Sequence, residues 1–195
     1  MANRARHERL YNKEDTLRFF RDLDDLLDRQ IEIVAIGGTA LTLLNLKKET
    51  KDFDFFIGGV NYEEFANILE KLSSKYNLDD IDFWEDNKMI LHKNGRIIER
   101  SMPPDYKREL SLSFKNIIFK SLNPLDIIVT KLDRCSQQDV VDIKSIVSEY
   151  HITAQEIETR LYQHLKLYEG SKEAYVSNFK HALDILGLQD KPLQK

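Results

Sequence analysis

The sequence predicts an α/β fold: a mixed, partly antiparallel sheet flanked by helices, with a helical part at its C-terminal end. Three observations predict it. Apolar residues recur at helical spacing over residues 13–29 (Leu17, Phe20, Leu23, Leu26, Leu27). Two short apolar runs, residues 31–36 and 52–57, bracket the turn Gly37-Gly38. Beyond Asn123 the chain carries helix starts and stops but no strand alternation. The division therefore falls between residues 1–122, a sheet domain with its N-terminal helix, and residues 123–195, a helical part packed on it.

Each element has its own signal. The strand over 31–36 ends in the glycine pair, and a short helix follows to about residue 46. The strand over 52–57 alternates Asp52 and Asp54 with Phe53, Phe55 and Ile57. Asn61 with Glu64 opens a helix running to about Tyr76. Short strands fill residues 81–122, with a hairpin turning at Asn94-Gly95 and an alternating run from Glu109 to Phe114. Asn123 and Pro124 start the next helix, where Asp126 suits the N-terminal dipole. Ser136 with Asp139 and Thr153 with Glu156 start two more, and Ser171 a fourth that ends near Gly187.

The chemistry concentrates in two segments. Successive strand residues face opposite ways, so Asp52 and Asp54 share a face. Adjacent like charges repel, and a sheet has no structural need for them. A divalent cation between them, carrying a polyphosphate, gives them a purpose. A solvated strand face is the bland alternative. Gly37 and Gly38 permit a close backbone approach, and a helix start favours anions; a tight turn without ligand explains them equally well when they are taken alone. Thr39 suits either a helix cap or a phosphate contact. Lys48 and Lys51 flank the strand.

These residues resemble the signature of the nucleotidyltransferase superfamily that shares its palm with DNA polymerase beta. The pieces are Ile36-Gly37-Gly38, a spacer of residues 39–51, and Asp52-Phe53-Asp54-Phe55. Gly37-Gly38-Thr39-Ala40-Leu41, with Thr50 two positions before Asp52, is most similar to the small AbiEii-type enzymes, toxin components of abortive-infection systems. The resemblance implies a palm over residues 1–122, Mg2+ (or Mn2+ in its place) on Asp52 and Asp54, and transfer of a nucleoside monophosphate from a triphosphate to a hydroxyl acceptor. That acceptor is an RNA, a protein or a small molecule, and an antitoxin is the implied protein partner. Gly37, Gly38, Thr39 and Lys51 are the candidates for substrate contact, with a charged loop a sufficient explanation of Lys48 and Lys51. In Lys131-Leu132 and Asp139-Val140-Val141-Asp142 the resemblance further implies phosphate contact for Lys131, with Arg134 one turn on, and support of the site by Asp139. Capping by Ser136 and Asp139, and an exposed helix face for Asp142, explain the second segment without substrate. The third carboxylate of the family falls first on Glu109, then on Glu99. Without an acid there, a non-catalytic nucleotide-binding or partner-binding module is the rival reading.

Composition narrows the rest. A single cysteine, Cys135, excludes a disulfide framework and a cysteine zinc site. The five histidines show no ligand spacing, no apolar run reaches the length of a membrane span, and the N-terminus lacks a signal-peptide core. The expectation is a cytoplasmic protein without membrane contact. The net charge is −4, which disfavours a generic duplex binder, yet residues 88–120 carry eight basic and three acidic residues, 8 − 3 = +5. That stretch is either a steering surface for phosphates or a solvated rim.

Overall fold

The computed structural model of the chain describes residues 9–58, 62–72, 75–76, 81–85, 103, 105–167 and 171–187. Its elements run β1 (Tyr11–Asn12), α1 (Lys13–Asp24), β2 (Ile31–Ala35), α2 (Gly37–Leu43), β3 (Glu49–Thr50), β4 (Phe53–Gly58), α3 (Tyr62–Glu70) and β5 (Ile81–Glu85). They continue with β6 (Lys107–Glu109), β7 (Ile117–Leu122), α4 (Pro124–Leu132), α5 (Gln137–Tyr150), α6 (Ala154–Leu167) and α7 (Lys172–Leu186). A five-stranded sheet has the order β5-β4-β2-β7-β6, and β1 pairs separately with β3. β2 runs antiparallel to β4 but parallel to β7, and β4 runs parallel to β5. The mixed α/β class predicted from the sequence is the class observed.

One face of this sheet holds the aromatic core. Phe53 and Phe55 alternate inward from β4, and α1 lays Phe19 and Phe20 on them, with the Phe19 and Phe53 rings stacked at 4.3 Å. Phe119 of β7 and Phe65 of α3 extend the cluster. Such rings bury large apolar areas, and their edge-to-face contacts add to that burial. The alternation that buries Phe53 and Phe55 places Asp52 and Asp54 on the opposite face. Core packing on one side thus fixes where the carboxylates stand.

Several elements are shorter than the pattern predicts. α1 stops at Asp24 rather than Arg29, because the Asp24 carboxylate turns to the N–H groups of Lys115 and Asn116. The Asn116 amide meanwhile donates to the Asp24 and Leu27 carbonyls. α3 ends at Glu70, and Lys71 and Leu72 continue it only as tight turns. The run from Glu109 to Phe114 is not a strand: pairing with β7 ends at Glu109, and residues 110–114 carry no regular structure. The helix starts at Asn123, Ser136, Thr153 and Ser171 are capped as expected. Asn61, Glu99, the Asn94-Gly95 turn and Gly170 lie outside the described residues. Among those described, no helix is long and apolar enough to cross a membrane.

Candidate active site

The site is built by the hairpin-like path from β2 through α2 and β3 to β4. Gly37 opens α2 at φ +50°, a left-handed conformation that favours glycine. A Cβ there would stand 2.9 Å from Asp54 Oδ2. At Gly38 a Cβ would lie within 4.0 Å of Asp52 Oδ1 and in hard collision with Thr50 Oγ1. The two glycines are therefore the wall against which both carboxylates lie. Asp52, just before β4, and Asp54, within it, are each partly exposed. Sequence reasoning and structure agree on bringing Gly37, Gly38, Asp52 and Asp54 together.

Thr39 has a different task from the one expected. It is fully buried, its hydroxyl donates to the Asp52 carbonyl at 3.2 Å, and it accepts the Asp54 N–H at 2.8 Å. With both bonds made inside the fold, its hydroxyl holds the backbone of the two aspartates. Ile36 N–H donates to the Asp54 carbonyl at 3.1 Å, completing the frame. Lys51 is exposed beside Asp52.

Glu109 is misplaced for a third carboxylate. It sits on β6, three strand spacings from β4, on the order of 14 Å. Its side chain is 76% exposed and pairs with Lys120. The acidic residue that the sheet register brings level with Asp54, and that the sequence reading does not single out, is Asp82. Parallel pairing of β4 with β5 makes Asp82 the Cα partner of Asp54. The signal was present: Asp82 precedes Phe83 and Trp84 as Asp54 precedes Phe55 and Phe56. Among the described residues no three His, Cys, Asp or Glu side chains gather as a metal cluster. Two carboxylates on one strand face, with glycines instead of side chains at 37 and 38 beside them, nonetheless suit Mg2+, which takes one or two protein carboxylates and fills its octahedron with water and phosphate.

Behind the site, α4 and α5 carry a dense ion network. Lys131 is buried, with Nζ 2.6 Å from Asp142 Oδ2 and 3.2 Å from Asp139 Oδ1. It is an internal partner of two aspartates, which corrects its expected place on the substrate phosphates. Asp142 is likewise buried, not on an exposed face. Arg134 grips Asp139 with Nε at 2.7 Å and a terminal nitrogen at 2.6 Å, yet its side chain stays 52% exposed. The bond to Asp139 raises the pKa of the Arg134 guanidinium against the opposing effect of burial, and the charges of Asp139, Asp142 and, last, Asp52 add to the rise. Lys47, from the turn after α2, reaches Asp142 at 3.4 Å and ties the glycine segment to α5.

Asp139 carries a titration consequence. Burial pushes its carboxyl up, but hydrogen bonds from Arg134 and Ser136 and the charge of Lys131 outweigh this and hold it well below the usual carboxylate range. A depressed folded value means that the stabilisation is complete above the unfolded aspartate value near 3.9 and is lost as pH falls through the lower folded value. The melting temperature should therefore hold from neutrality to about pH 4 and fall below it. Asp139→Asn should lower the plateau and make the acid fall shallower; an acid limb identical to wild type would show that Asp139 is not its source.

Of the basic stretch, Lys107 and Lys120 are paired within the fold, while Arg108 and Lys115 are exposed. Glu32, which lies outside it, binds both Lys107 and Lys120 at 2.7 Å, and Glu109 takes Lys120 at 3.1 Å. Arg108 lies over the Tyr150 ring. Lys107 and Lys120 are thus spent within the fold.

No curated protein and no solved structure matches the chain. A family model does, over residues 15–185, a span that holds the glycine turn, the aspartate strand, Asp82 and the ion network alike. On that match the chain belongs to the family described as nucleotidyltransferase of unknown function (DUF6036).

Proposed function

We propose that the chain is a magnesium-dependent enzyme that moves a nucleoside monophosphate from a nucleoside triphosphate to a hydroxyl acceptor. The observation that carries this reading is the placing of the Asp54 and Asp52 carboxylates beside Gly37 and Gly38, where an added Cβ would stand 2.9 Å from Asp54 Oδ2 and 4.0 Å from Asp52 Oδ1. Membership of a nucleotidyltransferase family supports the reaction class. In this reading Asp52 and Asp54 hold Mg2+, which supplies charge neutralisation on the triphosphate and alignment for in-line displacement. The acceptor oxygen bonds to the α-phosphorus, the bond to the bridging oxygen breaks, and pyrophosphate leaves with its electron pair. Asp82 takes the acceptor proton as general base. Arg134 and Lys51 orient phosphates, while Lys131 acts indirectly by fixing Asp139 and, through it, Arg134.

The rival reading, a binding module without turnover, rests on a missing third acid; the Cα register of Asp82 with Asp54 supports the enzyme reading against it. Incubation with Mg2+, each α-labelled triphosphate and pools of RNA, protein or small hydroxyl compounds tests the proposal. Label transfer identifies the acceptor class, and label on cellular RNA or protein would also support the toxin role with an antitoxin partner. Nucleotide binding without transfer to any pool would favour the module. Within the enzyme reading, Asp82→Asn should lower transfer by about 10²–10⁴-fold while nucleotide binding persists. Glu109→Gln should leave transfer unchanged. The reverse pattern would restore Glu109.

A further inference from the structure

We propose that Thr50 is a positioning residue that fixes how Asp52 meets its cation and thereby makes the site select magnesium over calcium. The inference rests on the metal-site reading of Asp52 and Asp54 and adds a specificity determinant to it. Thr50 is 2% exposed, at the end of β3, where its backbone is paired with Tyr11 of β1. Tyr11 in turn packs on Phe53 with ring centroids 4.3 Å apart, so the short two-stranded sheet is anchored to the aromatic core. From that fixed backbone the Thr50 hydroxyl donates to Asp52 Oδ1 at 3.2 Å.

Gly38 keeps that hydroxyl in place. A Cβ at Gly38 could not coexist with Thr50 Oγ1 in this rotamer, so the absence of a side chain at residue 38 is what admits the bond. Thr39 holds the same aspartate from the other side, through its carbonyl. Asp52 is therefore constrained at backbone and at one carboxylate oxygen. With Oδ1 turned toward a buried donor, Oδ2 is the oxygen better placed for a cation, which favours binding of Asp52 through one atom.

Single-atom coordination separates the two common divalent ions. Mg2+ requires a near-ideal octahedron at 2.0–2.1 Å and favours one oxygen per carboxylate, whereas Ca2+ takes more ligands at 2.3–2.6 Å and readily accepts carboxylates through both oxygens. Losing the Thr50 hydroxyl frees Asp52 to turn and offer both oxygens, which favours the larger ion.

The test reads metal binding directly on the full chain. Mn2+ binding is followed by electron paramagnetic resonance, and bound Mn2+ is displaced with Mg2+ or Ca2+. Thr50→Val should lower the ratio of Mg2+ to Ca2+ affinity by roughly tenfold, the effect of one lost hydrogen bond to a charged group. Thr50→Ser should keep the wild-type ratio, because it keeps the hydroxyl. Thr50→Ala removes the hydroxyl without adding a methyl group and decides the matter if the valine variant does not fold. An unchanged ratio in Thr50→Val or Thr50→Ala, a lost ratio in Thr50→Ser, or unfolding of both hydroxyl-free variants would overturn the proposal and leave Thr50 a structural residue. In those cases Mn2+ binding that disappears in Asp52→Asn would still sustain the metal site itself. No Mn2+ binding by wild type would overturn both.

Discussion

Asp52→Asn is expected to lower nucleotide transfer roughly a thousandfold and to abolish Mg2+-dependent triphosphate binding, with the fold intact. The size follows from what a carboxylate does for a bound cation: removing several kcal/mol of transition-state charge stabilisation costs a factor of ten for each 1.36 kcal/mol. The intact fold follows from the surroundings of the residue. Among the described residues its carboxylate takes one hydrogen bond, from Thr50, and an asparagine Oδ1 accepts the same bond. The Thr39 bond reaches the Asp52 carbonyl and is untouched by the substitution. Removing one of two neighbouring negative charges also relieves their repulsion. Melting in metal-free buffer should therefore be unchanged or slightly higher, within the range of about ±0.5 kcal/mol typical of surface changes. A clear loss of metal-free stability would identify Asp52 as the partner of a cation within the fold, and the loss of transfer would then say nothing about metal.

The glycine turn and the aspartate strand were legible because they obey local rules. Strand alternation is a property of neighbouring residues, and it is enough to put Asp52 and Asp54 on one face. Caps are local as well, so Asn123, Ser136 and Ser171 start helices where expected. What was not legible is set by partners distant in sequence. The register of Asp82 with Asp54 arises only through the parallel pairing of β5 with β4, and spacing in the chain does not encode strand order. Glu109 satisfies the same alternation rule but lies on the far edge of the sheet, beside Lys120. Lys131 was expected on phosphate because two aspartates eight and eleven residues away cannot be assigned to it before the α4–α5 angle is known. Thr39 looked like a phosphate contact for a similar reason: its acceptor and its donor sit thirteen and fifteen residues further on.

Asp126 shows the same limit most sharply, and it gives the largest expected loss of stability. The sequence presents it as an acidic residue in the first turn of a helix, worth a fraction of a kcal/mol against the dipole. In the structure it is fully buried. Arg160 of α6 holds it with Nε at 2.8 Å and a terminal nitrogen at 2.6 Å, and His164 Nε2 lies 2.7 Å from the same Oδ1. The second terminal nitrogen of Arg160 reaches outward to Asp105 at 2.7 Å. Asp126→Ala would strand a guanidinium that is 7% exposed, with the rim carboxylate of Asp105 as its remaining ion partner. Breaking a buried pair by removing one member costs about 3–5 kcal/mol, because the other charge is left without compensation in a poorly solvated place. For a chain of this size each kcal/mol moves the melting temperature by roughly 2–4 °C, so a fall on the order of 10 °C is expected. Replacing both members, Asp126→Leu with Arg160→Met, removes the stranded charge along with its partner and should recover most of that loss. Thermal and urea unfolding of the single and double variants measure the difference. A single-variant loss below about 1 kcal/mol would mean that water reaches Arg160 and that the packing of α6 on α4 is apolar in origin, through Ile157 and Leu161 against Ile127 and Ile128.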